Sequence, residues 1–289
     1  MMSDWFGPLV EFAFMRRALV ATLVLALGAA PVGVLLVLRR MSLVGDAMSH
    51  AVLPGAAVGF LLAGLSLPAM SLGGFVAALV VALGAGLVSR HTPLREDASF
   101  AAFYLIALAL GVLLVSWKGS QVDLMHLLFG SVLAVDDAAL LQIAAVSSGT
   151  LLALALVWRP LVLDSCDAAF LRGVGGGGGR SHAVLLLLLV ANLVSAFQAM
   201  GTLMAVGLMM LPAAAARFWV ASLGGMAAVA AVMAMASGLA GLLWSYHAEL
   251  PSGPCIVLAC GIAYGLSLLL GPRDGMLSRH WQNRHHRTA

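Results

Sequence analysis

Charge is what this chain has least of. Asp, Glu, Lys and Arg make up only 9% of its 289 residues, against 62% hydrophobic, and mean hydropathy is +1.06. A water-soluble domain of that length would lack the charged exterior it needs, so lipid must solvate most of the surface. Cysteine is equally sparse. Cys166, Cys255 and Cys260 form no CxxC pair, which excludes a disulfide framework and a thiolate zinc module. Cys255 and Cys260 sit in a late apolar run and read as small hydrophobes. Also missing are GxxxxGK[ST], HExxH and GxSxG, so nucleotide hydrolysis and intramembrane proteolysis or acyl transfer have no motif to rest on. Gly175–Gly179 carries no P-loop pattern and reads as a flexible tether.

What is present is a series of long apolar runs. A spanning helix takes about 20 such residues. The runs predict spans at about Ala18–Leu38, Asp46–Leu65, Pro68–Val88, Ala98–Ser116 and Ala138–Trp158. After a polar, glycine-rich break they continue at about Ala183–Met200, Leu203–Ala216, Val220–Trp244 and Cys255–Leu270. Leu203–Ala216 is short, so the count is eight or nine. The expectation is an all-α polytopic membrane protein, one transmembrane domain over residues 1–289. Residues 1–17 form an N-terminal segment and 272–289 a basic tail. The run after Arg16 and Arg17 is long enough to span and reads as retained, not as a cleaved signal peptide. Gln121–Val135 is apolar but too short to cross, which predicts a re-entrant or interfacial helix on the outer side. Leu161–Arg172 reads as a separate short helix in the largest inner loop.

Net charge +3 and a pI near 9.1 could suggest nucleic acid, but the basic residues lie between the apolar runs, as loop anchors do. With nine spans and the N-terminus outside, all but Arg16, Arg17 and Lys118 of the fifteen basic residues fall inside. The positive-inside rule therefore places the C-terminus in the cytoplasm.

One stretch breaks the apolar pattern. Ser42–Gly59, SLVGDAMSHAVLPGAAVG, carries Asp46 and His50 one helical turn apart, on the same face. A carboxylate in a span is expensive, and such residues usually face a bundle interior or a water-filled path. Carboxylate and imidazole together suit a divalent transition metal, so the pair reads as two transit ligands. The competing reading is that each satisfies the other and joins two helices. His126 reads as a structural residue before a ligand. His247 and Glu249, in SYHAELPSGP, read either as greeting a cation or as capping a helix. The tail's four arginines, with His280, His285 and His286, suit anionic headgroups. Gly55/Gly59 and Gly261/Gly265 read as helix-packing pairs, and the scattered methionines as core filler.

RRMSLVGDAMSHAVLPG at Arg39–Gly55 resembles the signature of the bacterial zinc/manganese/iron ABC-transporter permeases, the ABC-3 family. LREDASFA (Leu94–Ala101), LMHLLFGSVLAV (Leu124–Val135), GTLMAVGLMMLPAAAAR (Gly201–Arg217) and SYHAELPSGPCIV (Ser245–Val257) are similar to further motifs of that family. LDSCDAAFLRG at Leu163–Gly173 departs from the family's inner coupling segment by one extra residue. The resemblance implies a permease of the ABC importer type in the bacterial inner membrane, working as a homodimer. It also implies two cytoplasmic ATPase subunits and an extracytoplasmic metal-binding protein as partners. No cofactor is permanently bound on this reading. The cargo is zinc, manganese or ferrous iron, and the family's metal path includes the residues here numbered Asp46 and His50.

Two copies around an axis would present about four ligands to one ion. Imidazole coordinates when neutral, so uptake should weaken at low pH. The rivals are an ion-gradient-driven transporter or channel, for which no convincing inverted repeat is found, and a permease for a metal chelate, which would have no use for Asp46 and His50.

Overall fold

In lipid an apolar segment can satisfy its backbone only within a helix or a closed barrel, and every expected span is helical. A computed structural model describes residues 2–64, 66–117, 132–166, 178–273 and 275–278. Among them are α1 (Met2–Glu11), α2 (Ala13–Leu38), α3 (Val44–Ala63), α4 (Leu67–His91) and α5 (Glu96–Trp117). There follow α6 (Asp137–Cys166), α7 (Gly178–Met200), α8 (Thr202–Ala216), α9 (Leu223–Ala248) and α10 (Ser252–Leu270). The described residues contain no strand.

Two sets of contacts define the ends of the bundle. At one, Arg17 Nε lies 2.9 Å from Asp137 Oδ1 and the Phe12 and Tyr246 rings are 5.9 Å apart, so the starts of α2 and α6 meet the end of α9. At the other, Arg39 Nη2 lies 2.9 Å from Asp164 Oδ2, and Arg273 N–H donates to the Phe218 carbonyl at 3.0 Å. These join the ends of α2 and α6 and of α8 and α10. Helices α2 to α10 thus alternate in direction, nine passes among the described residues. Eight are long and apolar enough to cross a membrane. The ninth, α8, has 15 residues and is about 22 Å long, short of the ~30 Å hydrocarbon layer. Gly201, at φ 86°, supplies the sharp turn between α7 and α8 that a residue with a Cβ resists.

Burial separates inner from outer helices. The spanning stretches of α2 and α7 are 72% buried inside the chain, those of α5 and α6 only 22%. Some polar side chains inside the bundle join helices: Asn192 on α7 donates to Thr150 Oγ1 on α6 at 2.7 Å, and Ser99 Oγ donates to the Ala85 carbonyl at 2.8 Å.

Several expectations need correction. The N-terminal segment carries the helix α1, and α2 begins at Ala13, so Arg16 and Arg17 lie inside it. Leu161–Cys166 is not a separate helix: α6 runs 30 residues straight through Pro160. Proline removes one helical hydrogen bond, but Arg39 grips the turn beyond it, at the Leu161 carbonyl, Asp164 and Ser165. At about 45 Å, α6 is longer than the hydrocarbon layer. Gly178 and Gly179 belong to α7, while Gly175–Gly177 lie outside the described residues. The outer helix proposed at Gln121–Val135 also falls largely outside them. Its described end is a 3₁₀ turn at Val132–Ala134. Among the described residues the pair Gly261/Gly265 packs on nothing, since a Cβ at either would meet no atom within 4 Å.

Gly55 and Gly59 behave as expected. A Cβ on Gly55 would overlap the Gly73 carbonyl of α4, and one on Gly59 would sit 2.5 Å from the Ala69 carbonyl. Backbone on backbone leaves no room to yield. Gly55→Ala should therefore destabilise the protein by about 1–3 kcal/mol or more. Gly149→Ala, where the added carbon meets nothing within 4 Å, should be neutral or mildly stabilising. Thermal unfolding in detergent compares the two.

Candidate functional site

The turn before α3 sets the site. Helix α2 closes with Arg40 N–H donating to the Val37 carbonyl at 3.1 Å and Met41 N–H to the Leu36 carbonyl at 2.9 Å. This is a Schellman closure, with Arg40 at φ 59° where glycine is usual. Met41 is buried behind the turn. The chain reverses and α3 begins at Val44. Gly45 admits α8: a Cβ there would stand 3.0 Å from Met210 Cε.

Asp46 lies in the first turn of α3 and His50 one turn on. The positive end of the helix favours a carboxylate at the first position. Gly33 of α2 abuts Met209 of α8, and Gly45 abuts Met209 and Met210, so the start of α3 packs on the same helix as the second half of α2.

Gly55 and Gly59 turn one face of α3 onto α4, and α5 packs beside it, where Gly111 abuts Leu53 and Pro54. Leu43, just before α3, is 72% exposed. Asp46 is exposed as well, while His50, one turn on along the same side, is half-buried. Among the described residues neither side chain is joined to the other, or to any third, by a hydrogen bond or ion pair. The contact at Asp46 is to its backbone carbonyl, which accepts from Ser49 Oγ at 2.6 Å. His50 stacks on Tyr104 of α5, with ring centroids 6.1 Å apart and planes at 29°. The mutual-satisfaction reading thus fails. The pair has open coordination capacity, and one chain does not complete a site: no cluster of three or more His, Cys, Asp or Glu suited to a metal occurs among the described residues.

The other candidates lie elsewhere. His247 and Glu249 are at the Arg17 end, remote from Asp46. His247 is in the last turn of α9, its Nδ1 2.9 Å from the Leu243 carbonyl. Glu249 is the residue that ends that helix, at φ 54°. The capping reading holds for it. His126 and the tail histidines lie outside the described residues.

Two features escaped the sequence reading. Tyr104 is one of many apolar-run residues and carries no signal of its neighbour. Arg39, read as a loop anchor, is instead buried among charges. A signal was available: with alternating helices, Arg39, Glu96, Asp164 and His182 must all fall at one end.

Alternating apolar helices, no nucleotide-binding loop, and an acid–imidazole pair without hydrogen-bond or ion-pair partners among the described residues fit the membrane-spanning subunit of a transporter. The chain belongs to the ABC 3 transport family, which it matches over residues 11–271. It is 31% identical to the manganese transport system membrane protein MntC of Halalkalibacterium halodurans, over 98% of this chain and 96% of that one. It is 32% identical to a Haemophilus influenzae protein named "Probable iron transport system membrane protein", over 89% of this chain and 93% of that one. Among solved structures it resembles PsaBC from Streptococcus pneumoniae in complex with Fab, at a TM-score of 0.84 and 30% identity, covering 97% of this chain and all of that one. This membership sets aside a gradient-driven carrier.

Because the Asp46 and His50 side chains make no hydrogen bond or ion pair among the described residues, Asp46→Asn and His50→Gln should each leave stability within about 0.5 kcal/mol of the parent. Thermal unfolding of the solubilised protein measures this. A loss of several kcal/mol would restore a structural role.

Proposed function

We propose that this chain is the permease of an importer for a bare divalent transition metal ion, with Asp46 and His50 as its transit ligands. Relatives named for manganese and for iron support that cargo class, and zinc shares the same ligand chemistry. The observation that carries the reading is that neither side chain has a hydrogen-bond or ion-pair partner among the described residues, with Asp46 exposed. A chelate already wraps its metal and would find no use for it.

The working unit is a homodimer. Two α3 faces meeting across an axis supply two carboxylates and two imidazoles, a set that holds Zn²⁺ tetrahedrally or forms part of a larger shell for Mn²⁺. Without thiolates the site strips water from the ion yet releases it. Cytoplasmic ATPase subunits drive the cycle and an extracytoplasmic protein delivers the ion. The bundle sits in the cytoplasmic membrane with the basic Arg39 end and the C-terminus inside.

Asp46→Ala or His50→Ala should reduce radiolabelled Mn²⁺ or Fe²⁺ uptake to background while membrane insertion and dimer mass are kept. Differently tagged parent and Asp46→Ala chains, co-expressed and purified as mixed dimers, should also lose transport. Half-activity in the mixture would mean that each copy carries its own path.

A further inference from the structure

Arg39 is the hub of a buried charge cluster that the transit pair does not explain. Its side chain is 9% exposed, as is that of Asp164, whose Oδ2 lies 2.9 Å from Nη2. Nε donates to Ser165 Oγ at 3.0 Å, and Nη2 reaches the Leu161 carbonyl at 3.5 Å. Nη1 lies 3.3 Å from His182 Nδ1 on α7. A guanidinium only donates, so His182 must offer a lone pair there and carry its proton on Nε2. That Nε2 stands 3.0 Å from Glu96 Oε1, off the N–H axis, so the contact is electrostatic and not a well-formed hydrogen bond. The ends of α2, α5, α6 and α7 are thereby joined through one side chain.

Stability alone does not account for this. A buried ion pair is often no more stabilising than well-packed apolar residues in its place, and its best-attested use is to define one arrangement of parts. The parts held here are telling. On one side is the tail of α6, the longest helix, at the end a cytoplasmic ATPase must reach. On the other is the Schellman turn at Arg40, which feeds α3 and carries Asp46 seven residues after Arg39.

The geometry points to Arg39 as the positioning residue that passes nucleotide-driven movement from the α6 tail, through Asp164, to the α2–α3 turn and so to the transit pair. This rests on the importer reading for its consequence, but the movement itself is measurable without a cargo. An apolar exchange, Arg39→Met with Asp164→Leu, removes both charges together and so avoids leaving one buried alone.

The test uses the assembled complex with its ATPase subunits. Leu43→Cys, in a chain whose native cysteines are replaced by serine, reports on the turn, being exposed at the start of α3. Thiol labelling is followed with and without ATP and vanadate. In the otherwise unchanged chain the labelling rate should change severalfold with nucleotide. In the Arg39→Met/Asp164→Leu chain that change should vanish while ATP hydrolysis stays within about twofold. An equal change in both chains, or none in the first, overturns the proposal, as does loss of hydrolysis along with the labelling change. Uptake assayed in parallel, in vesicles with the delivery protein, should fall at least tenfold per ATP hydrolysed in the double variant. Failure of the importer reading would appear separately, as an unchanged chain that labels as expected but takes up no metal.

Discussion

The close approach of α3 to α4 governs everything else about this molecule. Lipid tails are as apolar as leucine, so helices in a membrane gain little from hiding hydrophobic surface and associate through tight packing instead. Gly55, Gly59 and Gly73 let two backbones meet with no side chain between them. That contact fixes the rotation of α3 about its axis. With one face pressed onto α4 and Gly45 seated against Met210, Asp46 is left exposed and His50 half-buried against Tyr104 of α5.

The bundle holds two sets of charged and titratable groups and treats them in opposite ways. Around Arg39, charged and polar groups of four helices are drawn together. Such a set is costly to break and holds one arrangement. The side chains of Asp46 and His50 make no hydrogen bond or ion pair among the described residues, and the Tyr104 ring lies against the imidazole. On the proposed reading that leaves them for an ion that comes and goes. The two sets are linked by the shortest connection available, a turn closed by its own backbone hydrogen bonds, and so a displacement at one has little slack to lose before reaching the other.

Much of this was legible in the residues. The apolar runs located the helices, most ends to within a few residues but the start of α2 and the end of α6 only to within five and eight, since burial of the backbone in lipid allows no alternative. The basic residues between them ordered the ends. Asp46 and His50 stood out because a carboxylate and an imidazole in an apolar run need a reason. The misses have physical causes. Pro160 looked like a stop, but tertiary contacts from Arg39 carry α6 past it. Gly261/Gly265 matched the same small-residue spacing as Gly55/Gly59, yet only the second pair faces a neighbour. Spacing shows that a close approach is allowed, not that a helix is there to make it.

Composition and periodicity, then, determined that the chain is a bundle of membrane helices, which way they alternate, and which two residues have the chemistry of a metal path. Those properties are local, set by how each segment meets lipid or water. Only the tertiary structure decided that the Asp46 and His50 side chains have no hydrogen-bond or ion-pair partner among the described residues, that Tyr104 stacks on the imidazole, and that Arg39 is a hub and not a surface anchor. Each of those depends on the rotation and height of one helix against another, which side-chain packing selects and no single segment encodes.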